Sequence, residues 1–113
     1  LALGANDALR GIQPEITLNN IDGMASILKT KNIPTLIAGM MAPPNLGSIY
    51  ARKFNRIFPD TAEKYDMALY PFFLDGVAGF MELNQNDRIH PNTRGVAIIT
   101  KKMAPAIIDV LNK

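Results

Sequence analysis

Ile33-Pro34-Thr35-Leu36-Ile37-Ala38-Gly39-Met40-Met41 is a nearly unbroken apolar run of strand length. Alternating apolar and polar residues would mark a strand with one wet face; a continuous run marks a strand buried on both. The segments on either side have a different period. Upstream, Pro14 stands where a first helical turn tolerates proline, and Ile21, Met24, Ile27 and Leu28 recur at helical spacing, forming one face of a helix over residues 15–31. Asn32 is its expected end, with Lys29 and Lys31 in the last turn, where positive charge suits the dipole. Downstream, Ala42-Pro43-Pro44-Asn45-Leu46-Gly47 breaks the run, and its two prolines force a stiff, extended loop. Tyr50, Phe54, Ile57 and Phe58 then repeat at helical spacing; Pro59 is expected to interrupt this helix, with Ala62 and Tyr65 resuming it.

Met67–Tyr70 reads as another short strand closed by Pro71, residues 72–92 as a long loop, and Val96–Leu111 as a final helix that Pro105 should bend or split. At the other end, Leu1–Gly4 is an apolar run stopped by glycine, consistent with a buried strand. The order is strand, helix, strand, helix, strand, loop, helix. Such alternation implies right-handed crossovers and a parallel sheet covered by helices on both faces, an α/β fold. Three strands make a small sheet for this class, and an unpaired Leu1–Gly4 would expose an apolar edge. Further strands upstream are therefore expected, the more so because the first residue is Leu and not Met.

With 113 residues and no internal linker, one domain or part of one is expected. Hydrophobic residues make up 48% and charged residues 19%, an ordinary globular balance. The net charge is +2, and the basic groups Lys29/Lys31, Arg52/Lys53/Arg56 and Lys101/Lys102 are scattered. None forms a continuous stripe interleaved with aromatics, which argues against nucleic-acid binding. The absence of cysteine removes disulfides, thiol catalysis and thiolate zinc sites. One histidine and dispersed acids offer no metal constellation, and no glycine-rich phosphate loop occurs, so neither metal nor cofactor is expected. No apolar run is long enough for a transmembrane segment, and no signal peptide is visible.

Two clusters carry the chemistry. In Asp87-Arg88-Ile89-His90-Pro91-Asn92 the sole histidine follows an acid by three residues, and Pro91 favours an extended His90. A turn of this kind can bring the Asp87 carboxylate to Nδ1 of His90, fixing the tautomer and leaving Nε2 free to accept a proton. The plainer alternative is that Asp87 caps a turn with His90 packed beneath it. In Gly4-Ala5-Asn6-Asp7, Asn6 is either an ordinary turn residue or a carboxamide aimed at a developing oxyanion, in the loop after a strand where parallel sheets place their ligands. Gly4 allows the turn there without a clash, and Asp7 is expected to hold the loop by bonding backbone amides.

Taken together, Gly4-Ala5-Asn6-Asp7 and Asp87-x-x-His90-Pro91-Asn92 resemble two sequence blocks of the SGNH hydrolase (GDSL esterase) superfamily. The segments from Leu1 to Gly11, Ala42 to Gly47 and Leu69 to Leu74 resemble its bacterial arylesterase, thioesterase I and lysophospholipase L1 branch. The resemblance covers the whole chain, as the C-terminal part (1–113) of a single hydrolase domain. It implies a flavodoxin-like α/β/α sandwich with a parallel sheet, of which this chain would supply the last three strands and their helices. It implies Asn6 as an oxyanion donor, His90 as general base and Asp87 as its orienting acid, with Gly4, Met41, Pro43, Pro44 and Asn45 bordering the substrate; the plainer alternative for the Met40–Leu46 loop is a rigid connection capped by core methionines. Phe72, Phe73 and Phe80 are expected on the other wall or in the core.

The family's nucleophilic serine block precedes the asparagine block and has no counterpart here. Ser26 and Ser48 lack the strand-to-turn setting of a positioned nucleophile. Arg88 stands where this branch commonly carries glycine. The activity implied is hydrolysis of a carboxylic ester or thioester by serine acyl transfer. The partners implied are a small-molecule ester or thioester and an N-terminal segment of the same enzyme that brings the serine, either as upstream sequence or as a separate or cleaved chain. The setting implied is periplasmic or secreted in a bacterium, or else cytoplasmic. The rival is a non-catalytic α/β module that binds a small molecule or partner in the same cleft.

Overall fold

The computed structural model describes all residues from Leu1 to Lys113. Its centre is a parallel pair, β1 (Leu36–Ala38) and β2 (Ala68–Tyr70), in register Leu36 to Ala68 and Ala38 to Tyr70. Leu1 lies along the other edge of β1: its amine donates to the Leu36 carbonyl at 2.7 Å and its carbonyl accepts from the Ala38 amide at 2.9 Å. This is the bonding pattern of a third parallel strand, but it stops after one residue. Leu1–Gly4 is thus an extended segment and not the full strand its apolar composition suggests. The long apolar run likewise contributes only Leu36–Ala38 to the sheet.

Four helices complete the chain: α1 (Ala5–Leu9), α2 (Pro14–Thr30), α3 (Ser48–Lys64) and α4 (Thr93–Leu111). The α1 turn replaces the polar loop expected after Gly4. α2 and α3 pack on each other and, with β1, enclose the main core: Ala8, Ile21, Ile37, Met40, Phe54, Ile57, Phe58 and Ala62. α4 packs on β1 and β2 and closes a second, smaller core of Val77, Leu83 and Ile99. Helices on both sides of a parallel sheet make the α/β/α arrangement, and consecutive parallel strands joined through helices require it.

Neither internal proline breaks its helix. α3 runs through Pro59, against the interruption expected there, and α4 runs through Pro105 without splitting. A proline removes one ladder bond, but packing of the surrounding turns can outweigh that loss. In α3, Ile57 and Phe58 just before the proline and Thr61 and Ala62 just after it are all buried. The Thr61 hydroxyl also donates to the Ile57 carbonyl at 2.6 Å, so its own polar group is satisfied in the core. At the start of α4, Asn92 caps the helix by accepting from the Gly95 amide at 3.0 Å. Its NH₂ reaches back to the Glu82 carbonyl at 2.8 Å. Gly95 is required here by space: a Cβ would overlap the Leu83 carbonyl oxygen and press on the Pro91 ring at 3.0 Å. The loop ahead of α4 is therefore clamped to the segment at residues 82–84.

Phe54 is fully buried between Tyr50, at 6.1 Å between ring centroids, and Phe58, at 5.5 Å edge to face. Phe54→Ala should destabilise the fold by ~3–5 kcal/mol, and Phe54→Leu by clearly less. Urea unfolding followed by circular dichroism measures both. A loss under ~1 kcal/mol for the alanine variant would mean that α3 does not anchor the core.

Candidate active site

Parallel strands end on the same side of a sheet, so the connections that follow them meet there. Three such connections converge: the turn after Leu1–Gly4, which becomes α1; the loop after β1; and the long loop after β2. Between them lies a cavity of about 520 Å³. Asn6 comes from the first connection, Met41, Pro43 and Pro44 from the second, and Phe72, Phe73, Arg88 and His90 from the third. The walls are mainly apolar, with Leu9, Leu74 and Ile89 contributing, and no acidic side chain lines them.

Asp87 organises the histidine end. Its Oδ1 accepts from the backbone amides of Ile89 at 2.9 Å and His90 at 3.1 Å, and its Oδ2 accepts from Nδ1 of His90 at 2.6 Å. Turn capping and orientation of the imidazole, alternatives on the sequence alone, thus coexist in one carboxylate. Three donors to the ionised form lower its pKa from 3.8 to about 2, the His90 ring contributing most and the two amides next. With the carboxylate ionised, Nδ1 carries the proton and Nε2 is the free basic nitrogen. Nε2 has no partner within the chain, and the His90 side chain is 63% exposed.

The loop is held from outside as well. Gln85 donates its amide to the His90 carbonyl at 2.8 Å and its side-chain NH₂ to the Pro91 carbonyl at 3.2 Å. Asn84 forms an isolated antiparallel bridge with Pro91. Arg88 sits at the apex of the turn with φ of 61°, a left-handed conformation uncommon for a residue with a side chain.

Asn6 lies in the first turn of α1, exposed, and its carboxamide makes no hydrogen bond within the chain. Its NH₂ is thus available to a ligand in the cavity. Asp7 does not bond backbone amides, as had been expected; its Oδ2 accepts from the buried Thr17 hydroxyl at 2.8 Å and so ties α1 to α2. On the facing loop, the Ala42 amide donates to Oδ1 of Asn55 in α3 at 2.7 Å, which pins the proline wall.

Two residues expected to border the substrate stand outside the cavity. Gly4 faces the core: its φ is 115°, and a Cβ there would approach the Phe58 ring at 3.0 Å. Its role is to let the chain pass that ring and turn into α1. Asn45 lies in a short 3₁₀ turn, Pro44–Leu46, and is exposed to solvent away from the cavity lining. Phe80 is also exposed and lies outside the cavity, whereas Phe72 and Phe73 line it. Sequence reading overlooked Leu9, Leu74 and Ile89 as wall residues. It also overlooked Thr17, Gln85 and Asn55 as supports. Only the apolar character of the first three could have flagged them.

Ser26 lies within α2 and Ser48 is the first residue of α3; neither lines the cavity. No group of three acidic or histidine side chains is placed to hold a metal ion.

No family model matches the chain. It is 38% identical to the esterase TesA of Pseudomonas aeruginosa strain PAO1 over 111 residues, covering 98% of this chain and 55% of that protein. It is 34% identical to the thioesterase 1/protease 1/lysophospholipase L1 of Escherichia coli K12, covering 97% of this chain and 53% of that one. The crystal structure of AlinE4, described as an SGNH-hydrolase family esterase, superposes with a TM-score of 0.73 at 45% identity, over 96% of this chain and 58% of that one. The chain spans about half the length of the curated relatives it matches, in their C-terminal part. Likeness of sequence and of structure, running through nearly every residue from Leu1 to Lys113, places this chain in the SGNH-hydrolase family.

Proposed function

We propose that the chain supplies the general base, its orienting acid and one oxyanion donor to a carboxylic-ester or thioester hydrolase that works by serine acyl transfer. One observation carries this: the unpaired carboxamide of Asn6 and the histidine whose Nε2 is free line a single apolar cavity. A serine from an N-terminal segment attacks the substrate carbonyl, and Nε2 of His90 takes its proton. Asp87 keeps the imidazole oriented and stabilises its cationic form. The Asn6 NH₂ donates to the oxyanion as charge develops there. His90 then returns the proton to the leaving group, and a water activated the same way releases the acid.

The apolar walls suit an acyl or aryl group, and Met41 gives one wall adaptability. The family supplies the ground for a periplasmic or secreted bacterial setting; no helix of the chain is long and apolar enough to cross a membrane.

The serine must come from elsewhere, because neither serine of the chain lines the cavity. An apolar groove beside Leu1, walled by Leu28, Ile33, Met103, Ile107 and Leu111, supports docking of a partner segment. The backbone amide of Ala2 alternates away from the bonds that Leu1 makes to β1 and has no partner within the chain, so a strand could add to that edge. Alone, the chain fits the second reading, a module that binds esters without hydrolysing them.

Two outcomes test the roles. Mixed with the N-terminal part of a relative such as the P. aeruginosa esterase, the chain should acquire hydrolysis of a chromogenic acyl ester. In that complex Asn6→Ala should lower kcat by about 10²–10³-fold and His90→Ala by at least ~10²-fold. Changes within a few-fold would overturn the assignment.

The second outcome concerns Asp87 in the chain alone. Because its pKa is depressed, its bonds with His90 and the amides persist as pH falls through 3.8 and break only near 2. A ¹³C NMR titration should place the carboxylate midpoint near 2, moving part of the way back toward 3.8 in His90→Ala, where the two amides still donate. A midpoint at or above 3.8 in the unmodified chain would contradict the geometry.

A further inference from the structure

Three non-glycine residues have positive φ: Asn32, Asp66 and Arg88. Asn32 and Asp66 follow the ends of α2 and α3, and their short polar side chains tolerate the left-handed conformation. Arg88 has no such excuse. The turn imposes the conformation, since Asp87 can accept from Ile89 and His90 only if the chain folds back over Arg88. Glycine would fill the position at lower cost. A residue kept in a costly conformation beside a candidate site points to work done by its side chain.

The surroundings of that side chain define the work. Arg88 lines the same cavity as Asn6 and His90, and no carboxylate lies within ion-pair distance of it. Asp87, its neighbour, has both oxygens engaged elsewhere. The acidic groups that do pair, Glu15, Asp22, Asp60 and Asp75, are each taken by other cations. The cavity therefore has apolar walls, one permanently charged guanidinium and no acid. A guanidinium fork donates two parallel bonds to a carboxylate or a phosphate.

We infer that Arg88 is a specificity residue that selects amphiphilic ligands with an anionic head group, carboxylate or phosphate, close to the reacting carbonyl, their apolar body lying along Leu9, Met41, Phe72 and Ile89. This deepens the esterase reading, on which it rests for the identity of the site, but its test needs no serine and no turnover.

The test is calorimetric binding to the chain of three ligands with one decyl chain and different heads: decyl phosphate, decanoate and decanol, each below its micelle concentration. At least one of the two anions should bind about tenfold more tightly than decanol, the gain expected of a charge-assisted bond. The anion with the greater preference identifies the head group as phosphate or carboxylate. Arg88→Met should bring all three within about twofold of one another. Arg88→Gly should do the same and raise the melting temperature, which guards against misfolding as the cause. Equal binding of the three heads, no binding of any, or an anion preference that survives both substitutions would overturn the inference. Loss of hydrolysis in the reconstituted complex with anion preference intact would instead count against the serine mechanism alone.

Discussion

Parallel pairing of β1 with β2 is the constraint from which the site follows. Strands that run the same way end at the same edge, and each must be joined to the next by a helix that returns across the sheet. The residues leaving Leu1–Gly4, β1 and β2 are therefore delivered to one place, although Asn6 and His90 lie near opposite ends of the chain. None of the three connections needs to be rigid by itself. Each is tied down by a bond to a neighbouring element: Asp7 to Thr17, Ala42 to Asn55, and Asn92 to the segment at residues 82–84. Each tie places a buried or half-buried polar group opposite a partner, and no buried side-chain polar atom is left without one.

Within that frame, Asp87 has the largest local influence. Its two oxygens do separate jobs, one shaping the turn and one setting the imidazole, so the geometry of the imidazole and the geometry of the loop stand or fall together. The same turn holds Arg88, which also lines the cavity, in a left-handed conformation. The Asp87–His90 pair and Arg88 thus share three consecutive peptide units, where a single backbone change would affect both.

Much of this was legible in the residues. The apolar run at Ile33–Met41 announced a buried strand, and the spacing of Tyr50, Phe54, Ile57 and Phe58 announced the helix beside it, because both signals come from periodic burial. The Asp87–His90 pair was readable because its partners are three residues apart and local geometry decides it. What was not legible depended on contacts distant in sequence. Pro59 read as a break and Pro105 as a bend or split because the packing that holds α3 and α4 through them is tertiary. Leu1–Gly4 read as a strand, yet pairs through Leu1 alone. Gly4 and Asn45 were placed at the substrate from motif resemblance; the first is needed by the Phe58 ring and the second by nothing in the cavity. Thr17 and Asn55 carry no local signal, since a threonine or asparagine in a helix looks the same whether or not a distant loop bonds to it.

The central claim is that a carboxamide and an imidazole act on one carbonyl group. Its most direct measurement is NMR titration of the ¹⁵N-labelled chain with a neutral acyl ester, following the Asn6 side-chain NH₂ and the His90 ring nitrogens together. Convergence predicts that both respond with the same dissociation constant, and that Asn6→Ala weakens the His90 response. Independent affinities at the two groups, or a response at one only, would contradict it.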